Sequence, residues 1–136
     1  MLDIQKQIAY WQNSAVEDWQ VAQDLLEQHK VRHSLFFAHL SLEKLLKAIV
    51  CHHTQDIAPR LHNLVRLAEL TGLSWTEEQI DTLAEMNVFN IEGRYPDHLQ
   101  APPLIGEAKQ YFQRAEEVYQ WLIQQLSNLS GNTSTP

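Results

Sequence analysis

Phe36-Phe37-Ala38-His39-Leu40-Ser41-Leu42-Glu43-Lys44-Leu45-Leu46-Lys47-Ala48-Ile49-Val50 is the most apolar stretch of the chain. Leu35, Ala38, Leu42, Leu45, Leu46 and Ile49 recur at steps of three and four, which places them on one face of a helix. Phe36, Phe37, Leu40 and Val50 spread apolar surface around most of the remaining circumference. A helix apolar nearly all round sits at the centre of a helical assembly, and this one is predicted over about residues 32 to 54.

The flanking segments supply its neighbours. Ile4, Ile8, Trp11, Ala15, Trp19, Ala22 and Leu26 form one stripe, predicting a first helix over about residues 3 to 28. The polar stretch Glu27 to Arg32 interrupts the pattern, and so short a connection implies antiparallel neighbours. Gln55 to Pro59 is a second break, because Pro59 biases Ala58 away from helical angles. A third helix is expected to start near Leu61 or His62 and to end at Gly72 as its cap. Thr76-Glu77-Glu78-Gln79 has the capping-box arrangement, so a fourth helix should run from there to about Asn90. Ile91 to Pro103 holds a glycine and three prolines and reads as a loop. Leu104, Ala108, Tyr111, Ala115, Val118, Leu122, Leu126 and Leu129 then mark a last helix, and Ser130 to Pro136 is a disordered tail by composition. The expected fold is all-α, an up-and-down bundle of four to five helices in a single domain over residues 1–129, with residues 130–136 as the tail.

Composition narrows the function. The chain has 136 residues and a formal net charge of −7, which disfavours a broad phosphate-neutralising surface for long nucleic acids but leaves room for a local phosphate site. Cys51 is the single cysteine, so no intrachain disulfide forms and the thiol is expected to stay reduced and partly buried. The N-terminus lacks a secretory pattern and no run approaches the length of a membrane helix, so a cytoplasmic location without membrane attachment is expected. The Asn128-Leu129-Ser130 and Asn132-Thr133-Ser134 triplets then carry no glycan.

Two places could carry chemistry. On the central helix Glu43 and Lys47 stand four apart with Lys44 on the neighbouring flank. They read either as a solvated ion pair worth a few tenths of a kcal/mol or as the lining of a ligand-facing crevice. In the loop, Arg94, Tyr95, Asp97 and His98 fall within five residues. A guanidinium fork suits a phosphate and an imidazole titrates near neutrality, so Arg94 and His98 could perform acid–base work on a phosphodiester without metal. The plainer reading has Arg94 anchoring the loop through Asp97 or a helix end. Cys51-His52-His53 is adjacent rather than helically spaced, and His29 and His33 straddle a break, so no metal is expected; nor does any motif call for a cofactor. His62 is expected to bond across to the second or fourth helix.

Taken together, Ala15 to Leu26, the block Leu42-Glu43-Lys44-Leu45-Leu46-Lys47-Ala48, the block Pro59-Arg60-Leu61-His62-Asn63-Leu64 and Arg94-Tyr95-Pro96-Asp97 resemble the HEPN domain family, over most of residues 5 to 126 and in the same order. The resemblance implies a HEPN-like helical bundle that forms a homodimer. It further implies a minimal nucleotidyltransferase partner in a toxin–antitoxin pair, and an RNA or nucleotide ligand. Many such proteins are metal-independent endoribonucleases whose Arg-x4-6-His motif is assembled across the dimer; by that resemblance Arg94 and His98 would be catalytic. Lys44, Lys47, Arg94, Tyr95 and Asp97 would contact nucleotide or phosphate. Here only three residues separate Arg94 from His98, and Asn63 replaces the acid of the family's Pro-x-x-His-Asp-Leu pattern. The alternative is a non-catalytic nucleotide-binding or dimerisation module.

Overall fold

The computed structural model describes residues 2–94 and 101–133, and within them all regular structure is helical. The order is α1 (Ile4–Glu27), α2 (Val31–Thr54), α3 (Leu64–Glu69), α4 (Glu77–Arg94) and α5 (Ile105–Thr133). None of these helices is long and apolar enough to cross a membrane.

Asp3 caps α1 by accepting from the Lys6 amide at 3.1 Å. At its other end His29 takes a left-handed φ of 61°, His29 N–H donates to Leu26 C=O at 3.0 Å, and Lys30 N–H to Leu25 C=O at 2.9 Å. This is a Schellman closure made by a residue other than glycine. It turns the chain within three residues, so α2 returns antiparallel along α1. Small residues let the two helices come close: Ser34 Oγ donates to Ala22 C=O at 2.8 Å and Ser41 Oγ to Ala15 C=O at 2.7 Å. Both pairs are fully buried, and the same seven-residue spacing separates them on each helix.

α2 packs against each of the other four helices, as its all-round apolar character requires. Leu35, Leu42, Leu45, Leu46 and Ile49 are at most 1% exposed, and each such burial is worth about 1.5–3 kcal/mol of transfer free energy. α5 closes the bundle through aromatic contacts. Trp19 stacks against Phe112 at 4.7 Å and Tyr119 at 4.4 Å, while Trp75 meets Trp121 edge-on at 4.8 Å. After α2 the chain doubles back, bringing His62 beside Glu43 and the Leu64 amide to Asn87, and then returns Gly72 to His53 near the end of α2, so α4 runs antiparallel to α2.

Four boundaries differ from expectation. α3 begins at Leu64 rather than near Leu61 because Asn63 takes the cap position, accepting from the Arg66 amide at 3.1 Å. It also ends earlier, at Glu69, so Gly72 does not cap it but occupies the turn beyond, with a left-handed φ of 75°. α4 begins on the expected capping box, with Gln79 N–H donating to Thr76 Oγ1 and Thr76 N–H to Gln79 Oε1. It continues past Asn90 to Arg94, which takes the first part of the expected loop into helix. α5 likewise extends past residue 129 to Thr133, so the first part of the expected tail is helical.

Candidate functional site

The polar residues of the central helix form a seam rather than a solvated stripe. His39, Glu43 and Lys47 are successive steps of four along α2, and all three are buried, at 0%, 4% and 6% exposure. Glu43 is the hub. Its Oε2 accepts from Lys47 Nζ at 3.1 Å and lies 3.0 Å from His62 Nδ1, while Oε1 is 3.8 Å from His39 Nδ1. The Lys47 ammonium also sits 5.2 Å over the ring of Trp11 from α1.

A carboxylate taken out of water needs such partners, since an unpaired buried charge costs several kcal/mol. Glu43 gains a cation from its own helix and an imidazole from the segment before α3. An ionised carboxylate only accepts, so His62 must carry its proton on Nδ1 toward Glu43. The His62 side chain is half exposed and is the member of this group that solvent reaches. The contact across to the second helix expected for His62 is therefore present.

Asn63 and Asn87 hold that segment in place. Asn87 Oδ1 accepts from the Leu64 amide at 2.8 Å, and Asn87 Nδ2 donates to Asn63 Oδ1 at 3.1 Å. An amide at position 63 can accept from α3 and from Asn87 without adding a charge close to Glu43.

Of the predicted phosphate contacts, Lys47 lies in the core, its ammonium directed at Glu43 and Trp11. Lys44 turns toward α1, where Nζ is 2.7 Å from Asp18 Oδ2 and 2.7 Å from Ser14 Oγ; its side chain is 21% exposed. Arg94 is the last residue of α4; its side chain, and the whole of Tyr95, Asp97 and His98, lie outside the described residues. The structure thus joins Glu43 with Lys47 and sets Lys44 on a separate ion pair. Sequence reasoning missed His39 and Trp11. The spacing of His39 to Glu43 was a usable signal; the approach of Trp11 from another helix was not.

Cys51 is fully buried, and burial raises its thiol pKa above the ordinary value, with a backbone hydrogen bond near Ala58 partly opposing. It diverges from His53, whose ring packs on Gly72 at the surface. Among the described residues no three His, Cys, Asp or Glu side chains are placed to hold a metal ion.

Comparison with known proteins agrees with this architecture. The family model of the HEPN domain matches residues 8–126. The crystal structure of TT1696 from Thermus thermophilus superimposes with a TM-score of 0.72 at 20% identity, covering 87% of this chain and 97% of that one. The crystal structure of ST0689, an archaeal HEPN homologue, gives 0.67 at 18% identity, covering 92% of this chain and 98% of that one. No curated protein matches the sequence. At these identities the two structures speak for the fold alone, but the family model spans nearly the whole helical bundle, and the chain belongs to the HEPN domain family.

Proposed function

We propose that this chain is the toxin-like or nucleotide-responsive partner of a minimal nucleotidyltransferase, and that it cuts RNA without metal through Arg94 and His98. The observation that carries the reading is the membership of residues 8–126 in the HEPN family together with the sequence Arg94-Tyr95-Pro96-Asp97-His98, which begins at the last residue of α4. In this chemistry a ribose 2′-hydroxyl attacks the adjacent phosphate and the 5′-oxygen leaves. The Arg94 guanidinium offsets the charge gathering on the phosphate oxygens, and His98 takes or returns the proton. Tyr95 and Asp97 orient the same segment, and a second copy of the chain completes the site in a homodimer.

The purified protein is expected to cleave RNA in the presence of chelator, and Arg94→Ala or His98→Ala to abolish cleavage. Intact RNA, or cleavage unchanged in both variants, refutes the enzyme reading.

A second reading is favoured by the spacing, since three residues between Arg94 and His98 is shorter than the family's ribonuclease motif. Here the chain is a non-catalytic nucleotide-binding or dimerisation module, and Lys44, Lys47 and Arg94 meet the phosphates. The ion pairs of Lys44 with Asp18 and Lys47 with Glu43 would have to open for this. Calorimetric titration with ATP distinguishes it: millimolar ligand without heat of binding counts against it.

A further inference from the structure

We propose that His62 is the general base that takes the ribose 2′-hydroxyl proton, positioned for that task by Glu43; the inference rests on the ribonuclease reading above. His62 Nδ1 lies 3.0 Å from Glu43 Oε2, and the His62 side chain is 49% exposed whereas that of Glu43 is 6% exposed. One ring nitrogen is thus committed to a buried carboxylate. With the proton on Nδ1, Nε2 keeps its lone pair for a substrate. A half-exposed imidazole whose tautomer is fixed by a buried acid has the arrangement that acid–base catalysis uses.

Fastening the chain does not by itself account for this histidine. The segment is already held to α4, where Asn87 accepts from the Leu64 amide at 2.8 Å and donates to Asn63 Oδ1 at 3.1 Å. Nor does Glu43 need His62 for neutralisation, since Lys47 Nζ donates to the same oxygen at 3.1 Å. The other oxygen, Oε1, is buried and takes no hydrogen bond, standing 3.8 Å from His39 Nδ1. The carboxylate therefore has acceptor capacity to spare, and it stabilises the imidazolium that forms when Nε2 takes a proton. Around His62, α2 supplies Glu43, Lys47 and His39, and α4 supplies the neutral Asn87. On its own segment Arg60 stands two residues away, exposed and without an ion pair among the described residues, as a guanidinium for a phosphate.

The site also shares a helix with the start of the Arg94–His98 segment. Asn87 precedes Arg94 by seven residues on α4, which puts position 94 on the same face, about two turns or 10 Å along the axis. RNA cleavage needs one group to remove a proton and another to supply one, and residues 94–98 hold a single histidine. In the balanced step O2′ gives its proton to His62 Nε2 and bonds to phosphorus, the P–O5′ bond breaks, and O5′ takes a proton from His98. The products are a 2′,3′-cyclic phosphate and a 5′-hydroxyl.

The test is steady-state cleavage of a labelled RNA, in chelator, by the full chain and its variants, with circular dichroism to confirm folding. Glutamine at position 62 can still donate to Glu43, so His62→Gln keeps the fastening and loses the base. It is expected to lower kcat about a hundredfold or more with KM nearly unchanged. Added imidazole is expected to restore cleavage to His62→Ala and not to Arg94→Ala. Glu43→Gln with His62→Gln is expected to be no slower than His62→Gln alone, because the two act as a unit. Full kcat in His62→Gln while Arg94→Ala is inactive overturns this inference and leaves the ribonuclease reading standing, and so does a folded His62→Ala that imidazole cannot rescue. A double variant slowed further by the factor of Glu43→Gln alone overturns the positioning role of Glu43. Intact RNA with the wild-type chain overturns both the inference and the reading beneath it.

Discussion

Glu43 Oε2 lies 3.0 Å from His62 Nδ1, across the gap between the central helix and the segment that leads into α3. The same oxygen accepts from Lys47 at 3.1 Å, so one buried carboxylate fastens a surface segment to the core while being neutralised by its own helix. This explains how a long apolar helix tolerates Glu43 and Lys47 at nearly complete burial.

The pair should therefore behave asymmetrically under mutation. Lys47→Met leaves Glu43 without its cation in a low-dielectric site and is expected to cost about 3–5 kcal/mol. Lys47→Met combined with Glu43→Leu removes both charges and should recover most of that loss. Urea denaturation of the two single variants and the double variant measures this; a double variant as unstable as Lys47→Met would refute the account.

Backbone conformation gives a second test with opposite signs at two sites. His29 closes α1 at a φ of 61°, a region that disfavours side chains, so His29→Gly should stabilise by about 1 kcal/mol. Gly72 needs its φ of 75°, and a Cβ there would strike the His53 ring. Gly72→Ala should lower the melting temperature, and Gly72→Ala with His53→Ala should recover only the steric part. Calorimetric melting of the three proteins decides it.

At alkaline pH two buried groups act together. Burial raises the pKa of the Cys51 thiol and of the Tyr119 hydroxyl, so the fold favours their protonated forms. A folded-state pKa above the unfolded one gives stability that is fully present below the unfolded value and disappears as pH rises through the folded value. Stability should thus fall once pH passes the ordinary thiol range, and more gently in Cys51→Ala and Tyr119→Phe. Unfolding free energies measured from neutral to alkaline pH test this, and a wild-type curve parallel to both variants would sink it. The same burial predicts that Cys51 reacts with thiol reagents slowly when folded and rapidly in denaturant.

How much of this was legible depended on the range of the interactions involved. α1, α2 and α5 were readable because each holds a stripe at helical spacing over several turns, and the capping box of α4 is a signal only four residues long. The start of α3 was misplaced although the Asn63 cap that sets it is local; what was not readable is that Asn87 holds Asn63 across 24 positions. The end of α4 was placed too early by giving weight to Gly93, which the helix takes into its last turn. At the candidate site the identity of Glu43 and Lys47 as a pair was visible in their spacing. Their burial was not, since it follows from Trp11 and His62 arriving from elsewhere in the chain.

Lys44 separates a structural from a binding role. Its ammonium bridges Asp18 and Ser14 on α1, and the partial exposure of both charged side chains limits the pair to about 1 kcal/mol. Lys44→Met should therefore lower stability by no more than that, and a double-mutant cycle with Asp18→Asn should show coupling of similar size. If Arg94 and His98 do the chemistry, Lys44→Met retains RNA cleavage while Arg94→Ala loses it. If instead the chain is a nucleotide-binding module, Asp18→Asn frees the Lys44 ammonium and tightens ATP binding, and Lys44→Met weakens it. Lys44→Met melting unchanged, with a fall in ATP affinity, would assign the residue to the ligand; a lowered melting temperature with ATP affinity untouched would assign it to the α1–α2 interface.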